Sequence, residues 1–159
     1  MDSLWLPING RMPERSNWSI VGGDGHIHEL MSDVDGPWRH TDLMAETGAP
    51  LAGDAALIGY AWEYSKTKQV VYVDRNHHLI ELHTPLQGSW KQTNLTQLLG
   101  LRESSHDALA AHEWTPAFAK HIAYLDTAEN PHIHSLLLKH GENWKHADVT
   151  SLTGAQPIV

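Results

Sequence analysis

The sequence predicts an all-β chain of three consecutive repeats, each a four-stranded β-propeller blade. Two observations lead there. The first is periodicity. Trp38, Trp90 and Trp144 head the related segments WRHTDL, WKQTNL and WKHADV, which lie 52 and 54 residues apart. Self-similarity at a fixed spacing of roughly 20–50 residues marks a repeat architecture. The second is texture. Each repeat splits into short segments rich in Val, Ile, Tyr and Trp, separated by turn residues, the pattern of short strands.

The repeat can be followed element by element. Ahead of each tryptophan stand DGHIHEL (24–30), NHHLIEL (76–82) and NPHIHSL (130–136). Ahead of those, SIVGG (19–23), VYVDR (71–75) and AYLDT (123–127) hold equivalent places, and GYAWEY (59–64) matches AHEWTP (111–116). Gly48, Gly100 and Gly154 follow each tryptophan, and Asp2, Asp54 and Asp107 stand near the unit starts. One domain of three units results: 1–53, 54–105 and 106–159, the third with a small insertion at 129–131. In the second unit the expected strands are 57–64, 69–74, 78–83 and 89–95. Asp24-Gly25 and Asp35-Gly36 are hairpin signals, because the primed turns need positive φ. The stretch TNLTQLLGL has room for one helical turn between units.

Composition narrows the function classes. The chain has 159 residues, 41% hydrophobic and 19% charged, enough for one ordinary domain. A net charge of -8 offers no basic footprint for nucleic acid. The absence of cysteine excludes disulfides, thiolate zinc sites and cysteine nucleophiles. No stretch approaches the roughly 18–20 apolar residues of a membrane helix, so no membrane insertion is expected. The segment MDSLWLPINGRMPERSN lacks a continuous apolar core, so no classical signal peptide is expected and the chain reads as cytoplasmic or non-classically exported. Thirteen histidines make the net charge swing steeply near their ordinary pKa of about 6.5.

Three blades do not close a ring, since propellers have roughly 4–8. Head-to-tail association of two chains supplies six. A homodimer forming one six-bladed ring is therefore expected. The competing arrangement of the same twelve strands is another β-sandwich.

The order of elements resembles the fungal and bacterial fucose-binding lectins, a family of six-bladed propellers. The matching pieces are VVY at 70–72, IHE at 27–29 and LIE at 79–81, and Trp38, Trp90 and Trp144 after Pro37, Ser89 and Asn143. Some bacterial members are short and build the ring from several subunits. The resemblance implies sugar sites between adjacent blades. There an arginine two residues before the tyrosine and the glutamate of Ile-x-Glu bind hydroxyls, and aromatic rings stack on the apolar face. The glutamates match at Glu29 and Glu81, while the third unit has Ser135. The arginine matches nowhere: its positions hold Trp18, Val70 and Ile122.

The residues themselves sort as follows. Glu29 and Glu81 share a strand face with Ile27 and Leu79, so each needs a partner, either a ligand or an internal cation. Trp38, Trp90 and Trp144 recur in every unit and serve as inter-blade packing or as stacking plates. Trp62 and Trp114 share a position with Gly10, and Tyr60 aligns with His112. These are further candidates for sugar stacking. Arg39, Lys91 and Lys145 are expected to be solvent-exposed or partners for an acid, and they are also the nearest repeating replacement for the missing arginine. Asp42, Asn94 and Asp148 follow each tryptophan by four and suit Asx turns. His26-Ile-His28 and His132-Ile-His134 have chelate spacing, but the second unit holds Ile80 there, so no metal is expected. His26, His78 and His132 are expected to satisfy turn backbone. No catalytic motif and no cofactor signature is present. The expected function is non-catalytic, multivalent binding of glycans or monosaccharides between blades. The alternative is a protein-interaction scaffold.

Overall fold

A computed structural model describes residues 15–33, 36–85 and 88–155. It contains three antiparallel sheets whose strands follow chain order. Sheet one holds β1 (Arg15–Val21), β2 (Ile27–Asp33) and β3 (Arg39–Asp42). Sheet two holds β4 (Ala52–Trp62), β5 (Thr67–Asp74), β6 (Leu79–Pro85) and β7 (Lys91–Asn94). Sheet three holds β8 (Ser104–Trp114), β9 (Ala119–Asp126), β10 (Ile133–Lys139) and β11 (Lys145–Asp148). Asp2, Gly10 and Asp35, together with any strand before β1, lie outside the described residues. No described helix is long and apolar enough to cross a membrane.

Each last strand is shorter than the sequence implies. In the second unit β7 starts after Trp90, and the chain turns helical at Leu95. The helices are α1 (Leu43–Thr47), α2 (Leu95–Leu99) and α3 (Val149–Thr153). Asp42, Asn94 and Asp148 are their N-caps, and they accept backbone N–H groups at the strand ends as expected. Each side chain accepts from the first-turn N–H groups, which have no intrahelical partner. Gly48, Gly100 and Gly154 end the helices in the left-handed region, at φ 65, 60 and 71°. That conformation is costly for any residue with a Cβ.

The hairpin turns repeat another device. Asp24, Asp74 and Asp126 each use Oδ1 to accept the N–H that opens the next strand, from His26, His78 and His132. The first strands of sheets two and three, β4 and β8, share an irregularity. Their register shifts between Ala52 and Leu57, and between Ser104 and Leu109.

Two cores stack the sheets face to face, with sheet two in the middle. Ile27, Leu43 and Met44 of the first unit pack with Val70, Tyr72 and Trp90 of the second. Val71, Val73, Leu79 and Leu95 pack with Ile122, Tyr124 and Leu136 of the third. Alternation explains the division, since successive residues of β5 point to opposite faces. Each such buried side chain contributes about 1.5–3 kcal/mol.

Candidate functional site

The same residue types meet at both interfaces between neighbouring sheets. In the first, Glu29 on β2 pairs with Lys68 on β5. Asn17 Nδ2 donates to that carboxylate at 2.8 Å and Trp90 Nε1 at 3.4 Å. Lys68 Nζ stands 5.3 Å from the Trp90 ring centre. In the second, Lys120 Nζ on β9 donates to Glu81 Oε1 on β6 at 2.6 Å and to Gln69 Oε1 at 3.3 Å. The same ammonium lies 5.1 Å from the Trp62 ring centre and 5.0 Å from that of Trp144.

Strand alternation assembles these groups. Glu29 follows Ile27 on the core-facing side of β2, as Glu81 follows Leu79 on β6. Lys68 shares a face with Val70 and Tyr72, and Lys120 with Ile122 and Tyr124. A carboxylate placed there is removed from water and needs a cation. The need is met inside the chain. The Lys120 side chain is 3% exposed and the Lys68 side chain 21%. Burial holds the Lys120 ammonium below its ordinary pKa, opposed by the Glu81 charge. Breaking a buried pair by removing one partner costs about 3–5 kcal/mol.

The aromatic candidates divide between the sheet interfaces and the ends. Trp90, Trp62 and Tyr60 are buried and Trp144 is half-buried. Burial, reinforced by Glu81, pushes the Tyr60 phenol well above its ordinary pKa. Trp38 is 59% exposed, although it holds in sheet one the place of the buried Trp90 in sheet two. Trp114 is 49% exposed, although it holds in β8 the place of the buried Trp62 in β4. It meets the His121 ring edge-on at 5.5 Å.

Lys68 and Lys120 are the residues of these interfaces that the motifs did not point to. Arg39, Lys91 and Lys145 are exposed, as expected. Lys145 pairs with Glu142 at 2.9 Å. The available signal was the spacing of 52 residues between Lys68 and Lys120, two places before Val70 and Ile122.

The histidines also depart from expectation. His26 and His132 join the helix-cap carboxylates of Asp42 and Asp148, at 2.7 and 2.8 Å, rather than turn backbone. His78 Nδ1 lies 3.3 Å from Asp74 Oδ2. His28 meets His40 at 2.9 Å, and His134 meets His146 at 3.0 Å. Among the described residues, no three metal-ligating side chains converge.

Two open clefts lie elsewhere, at the loops between units. One, of about 470 Å³, is lined by Gly22, Gly25, Gly53, Arg75 and His106. Its polar groups are met within the chain: Arg75 Nη2 donates to Asp24 O at 3.3 Å, and the His106 ring bonds Asp74 O at 2.9 Å. The other, of about 260 Å³, lies between Arg102 and the Asp126–Ala128 turn.

No protein-family model matches this sequence, and no curated protein sequence does. The fold is similar to that of the Aleuria aurantia lectin, solved as a point mutant in complex with α-methyl-L-fucoside. The TM-score is 0.56 at 17% identity, covering 84% of this chain and 43% of that one. At that identity the likeness is one of fold. This chain spans less than half the length of that lectin.

Proposed function

We propose that the chain is a non-catalytic carbohydrate-binding protein whose three units are propeller blades, with ligand taken up in grooves between blades. The units are 1–53, 54–105 and 106–159. A second copy completes a six-bladed ring, so that the sites are multivalent. One observation carries this reading. A tryptophan stands at the same place in every unit, Trp38, Trp90 and Trp144; Trp90 Nε1 donates to Glu29 of the preceding sheet, and Trp144 lies against Lys120, which is tied to Glu81 of the preceding sheet. Aromatic plate plus hydrogen-bonding side chains is the composition a sugar requires, because a pyranose offers hydroxyls and one CH-rich face. The lectin-like fold supports it, and so does the resemblance of the short motifs.

The test is a glycan array probed with the folded chain at neutral pH. Binding that a free monosaccharide competes away supports the reading. Silence across the array from folded protein rejects it.

A second reading is favoured by a different observation. Glu29 and Glu81 are both neutralised by lysines within the chain. If all polar groups of the grooves serve packing, the ring is a scaffold for a protein partner. Capture of sugar by the array separates the two.

A further inference from the structure

Two of the three units carry a pair of histidines that the other lacks. The second residue of β2, β6 and β10 is His28, Ile80 and His134. The second residue of β3, β7 and β11 is His40, Gln92 and His146. The cross-strand register is the same in each unit: His40 faces Leu30, Gln92 faces Leu82 and His146 faces Leu136. The two positions change together, histidine with histidine or isoleucine with glutamine. The blade folds with either set, so it does not require the imidazoles.

The paired rings meet nitrogen to nitrogen. His134 Nδ1 lies 3.0 Å from His146 Nε2, and His28 Nδ1 lies 2.9 Å from His40 Nε2. In the third unit the far side of the ring is fixed as well. His134 Nε2 lies 3.2 Å from Asp126 Oδ2. A carboxylate only accepts, so Nε2 carries the proton and Nδ1 is left bare. Tyr124 stacks on the same ring with centres 5.1 Å apart, and His134 is 3% exposed. A locked ring therefore holds a bare nitrogen toward a second, exposed imidazole. A histidine that ligates metal almost always donates its other N–H in this way. In the first unit Asp24 Oδ1 is 3.9 Å from His28 Nε2, too far for a hydrogen bond, so that pair is held more loosely.

The spacing between the nitrogens suits a cation. Two metal–nitrogen bonds of about 2.0–2.1 Å at a right angle place their nitrogens about 2.9 Å apart, and at a tetrahedral angle about 3.3 Å apart. The right-angle value is met in both pairs with no movement of the strands. Tetragonal nitrogen and oxygen ligation belongs to copper(II) and nickel(II), and copper(II) binds most tightly in the divalent series. Among the described residues no third ligand converges, so water fills the remaining positions. The sequence spacing pointed to other partners, His26 with His28 and His132 with His134. There the Nδ1 atoms of His26 and His132 are taken by the cap carboxylates Asp42 and Asp148, at 2.7 and 2.8 Å. The rings that meet are on neighbouring strands, where sequence spacing does not show them.

We infer that His134 with His146, and His28 with His40, are two sites for a divalent transition-metal ion, copper(II) before nickel(II) or zinc. The third-unit site is the tighter. When the ion enters, the proton between the rings moves to His146 Nδ1, and both facing nitrogens become ligands. Asp126 is a positioning residue: it sets the tautomer of His134 and does not touch the ion. The inference is independent of the carbohydrate reading.

The test is a calorimetric titration of the full chain with copper(II) chloride and with nickel(II) chloride at pH 7.5. Electron paramagnetic resonance of the copper form reads nitrogen ligation. Two ions per chain are expected, one tighter than the other. His146→Gln should weaken the tighter site by about tenfold or more and His40→Gln the looser one, and the two together should remove both. Glutamine already stands at the equivalent Gln92, so these variants keep the fold, and their melting temperatures without metal check it. Asp126→Asn places an amide N–H against His134 Nε2 and forces the wrong tautomer. It should weaken the third-unit site by about 10–100-fold and leave the first-unit site unchanged. His140→Gln, which removes an exposed ring from another cluster, should leave both sites intact. Undiminished binding by the folded His40→Gln, His146→Gln double variant overturns the inference, as does a folded parent that binds no ion. A loss in His140→Gln equal to that in His146→Gln also overturns it, because binding would then follow histidine count alone. Loss of an ion in His26→Gln with full retention in His40→Gln overturns it in favour of the pair adjacent in sequence.

Discussion

Lys120 Nζ lies 2.6 Å from Glu81 Oε1, and both side chains are almost completely sealed from water. A pair this deep is weak evidence for stability, because desolvation of both charges offsets their attraction. It is strong evidence about single substitutions. Lys120→Met strands the Glu81 carboxylate and should cost about 3–5 kcal/mol. Lys120→Met joined with Glu81→Leu should recover most of that loss. Lys68→Met should cost less than Lys120→Met, because Lys68 keeps part of its side chain in water. Urea denaturation at unchanged m-value measures all three. A single Lys120 variant as stable as the parent would show that the pair is not buried.

The two equivalent tyrosines make a paired comparison. Tyr72 Oη donates to the carbonyl of Pro50 at 2.7 Å. The equivalent of Pro50 in the next unit is Arg102, and the Tyr124 hydroxyl is buried with no hydrogen-bond partner among the described residues. Tyr72→Phe should therefore cost about 1 kcal/mol, the net worth of one hydrogen bond. Tyr124→Phe should be neutral or stabilising, since it removes an unmet hydroxyl. Thermal melts of the two variants check this, and equal losses would contradict it.

What was legible in the sequence follows the repeat. Trp38, Trp90 and Trp144 and the glycines behind them located the last strand of each unit and the turn that ends it, because helix caps need specific residue types. The helices themselves were only half visible. A five-residue helix has too few positions to show a period, and Asp42 reads equally as a turn or a cap. The ion pairs were hidden for a different reason. Glu29 and Lys68 are 39 residues apart and belong to different sheets. Strand alternation predicts that each faces inward, but not that they face each other. The exposure of Trp38 and Trp114 was likewise invisible, because burial of a repeat position depends on whether a neighbour stands beside it.

Capping strength should differ between units in a measurable way. Asp148 accepts from Ser151 N at 2.8 Å, from Ser151 Oγ at 2.7 Å and from the His132 ring at 2.8 Å. Among the described residues Asn94 accepts from Gln97 N, at 2.9 Å, with no ring or hydroxyl donor beside it. Loss of an N-cap costs about 0.5–2 kcal/mol. Asp148→Ala should fall at the upper end of that range and Asn94→Ala at the lower end. Chemical denaturation of the two variants tests the order, and a larger loss for Asn94→Ala would reverse it.

Stability should fall on mild acidification, and the sign follows from three histidines. Burial lowers the pKa of His83, His121 and His146 below the ordinary 6.5. Repulsion from His112 adds to the effect at His121, and repulsion from His134 at His146. As pH drops through 6.5 the unfolded chain takes up protons that the folded chain refuses. Unfolding is thus favoured until the folded values are passed. The aspartates act in a lower window. Backbone N–H donors and histidine partners hold Asp42 and Asp148 below 3.8, and the same bonds outweigh burial at Asp126. Their stabilisation is present above 3.8 and disappears as pH falls through the depressed values. The melting temperature should therefore drop between pH 7.5 and 5.5, hold, and drop again below pH 4. Replacing His83, His121 and His146 together by Gln should flatten the first step and leave the second. A parent protein whose melting temperature is level from pH 7.5 to 5.5 would show that these imidazoles titrate alike in the folded and unfolded chain.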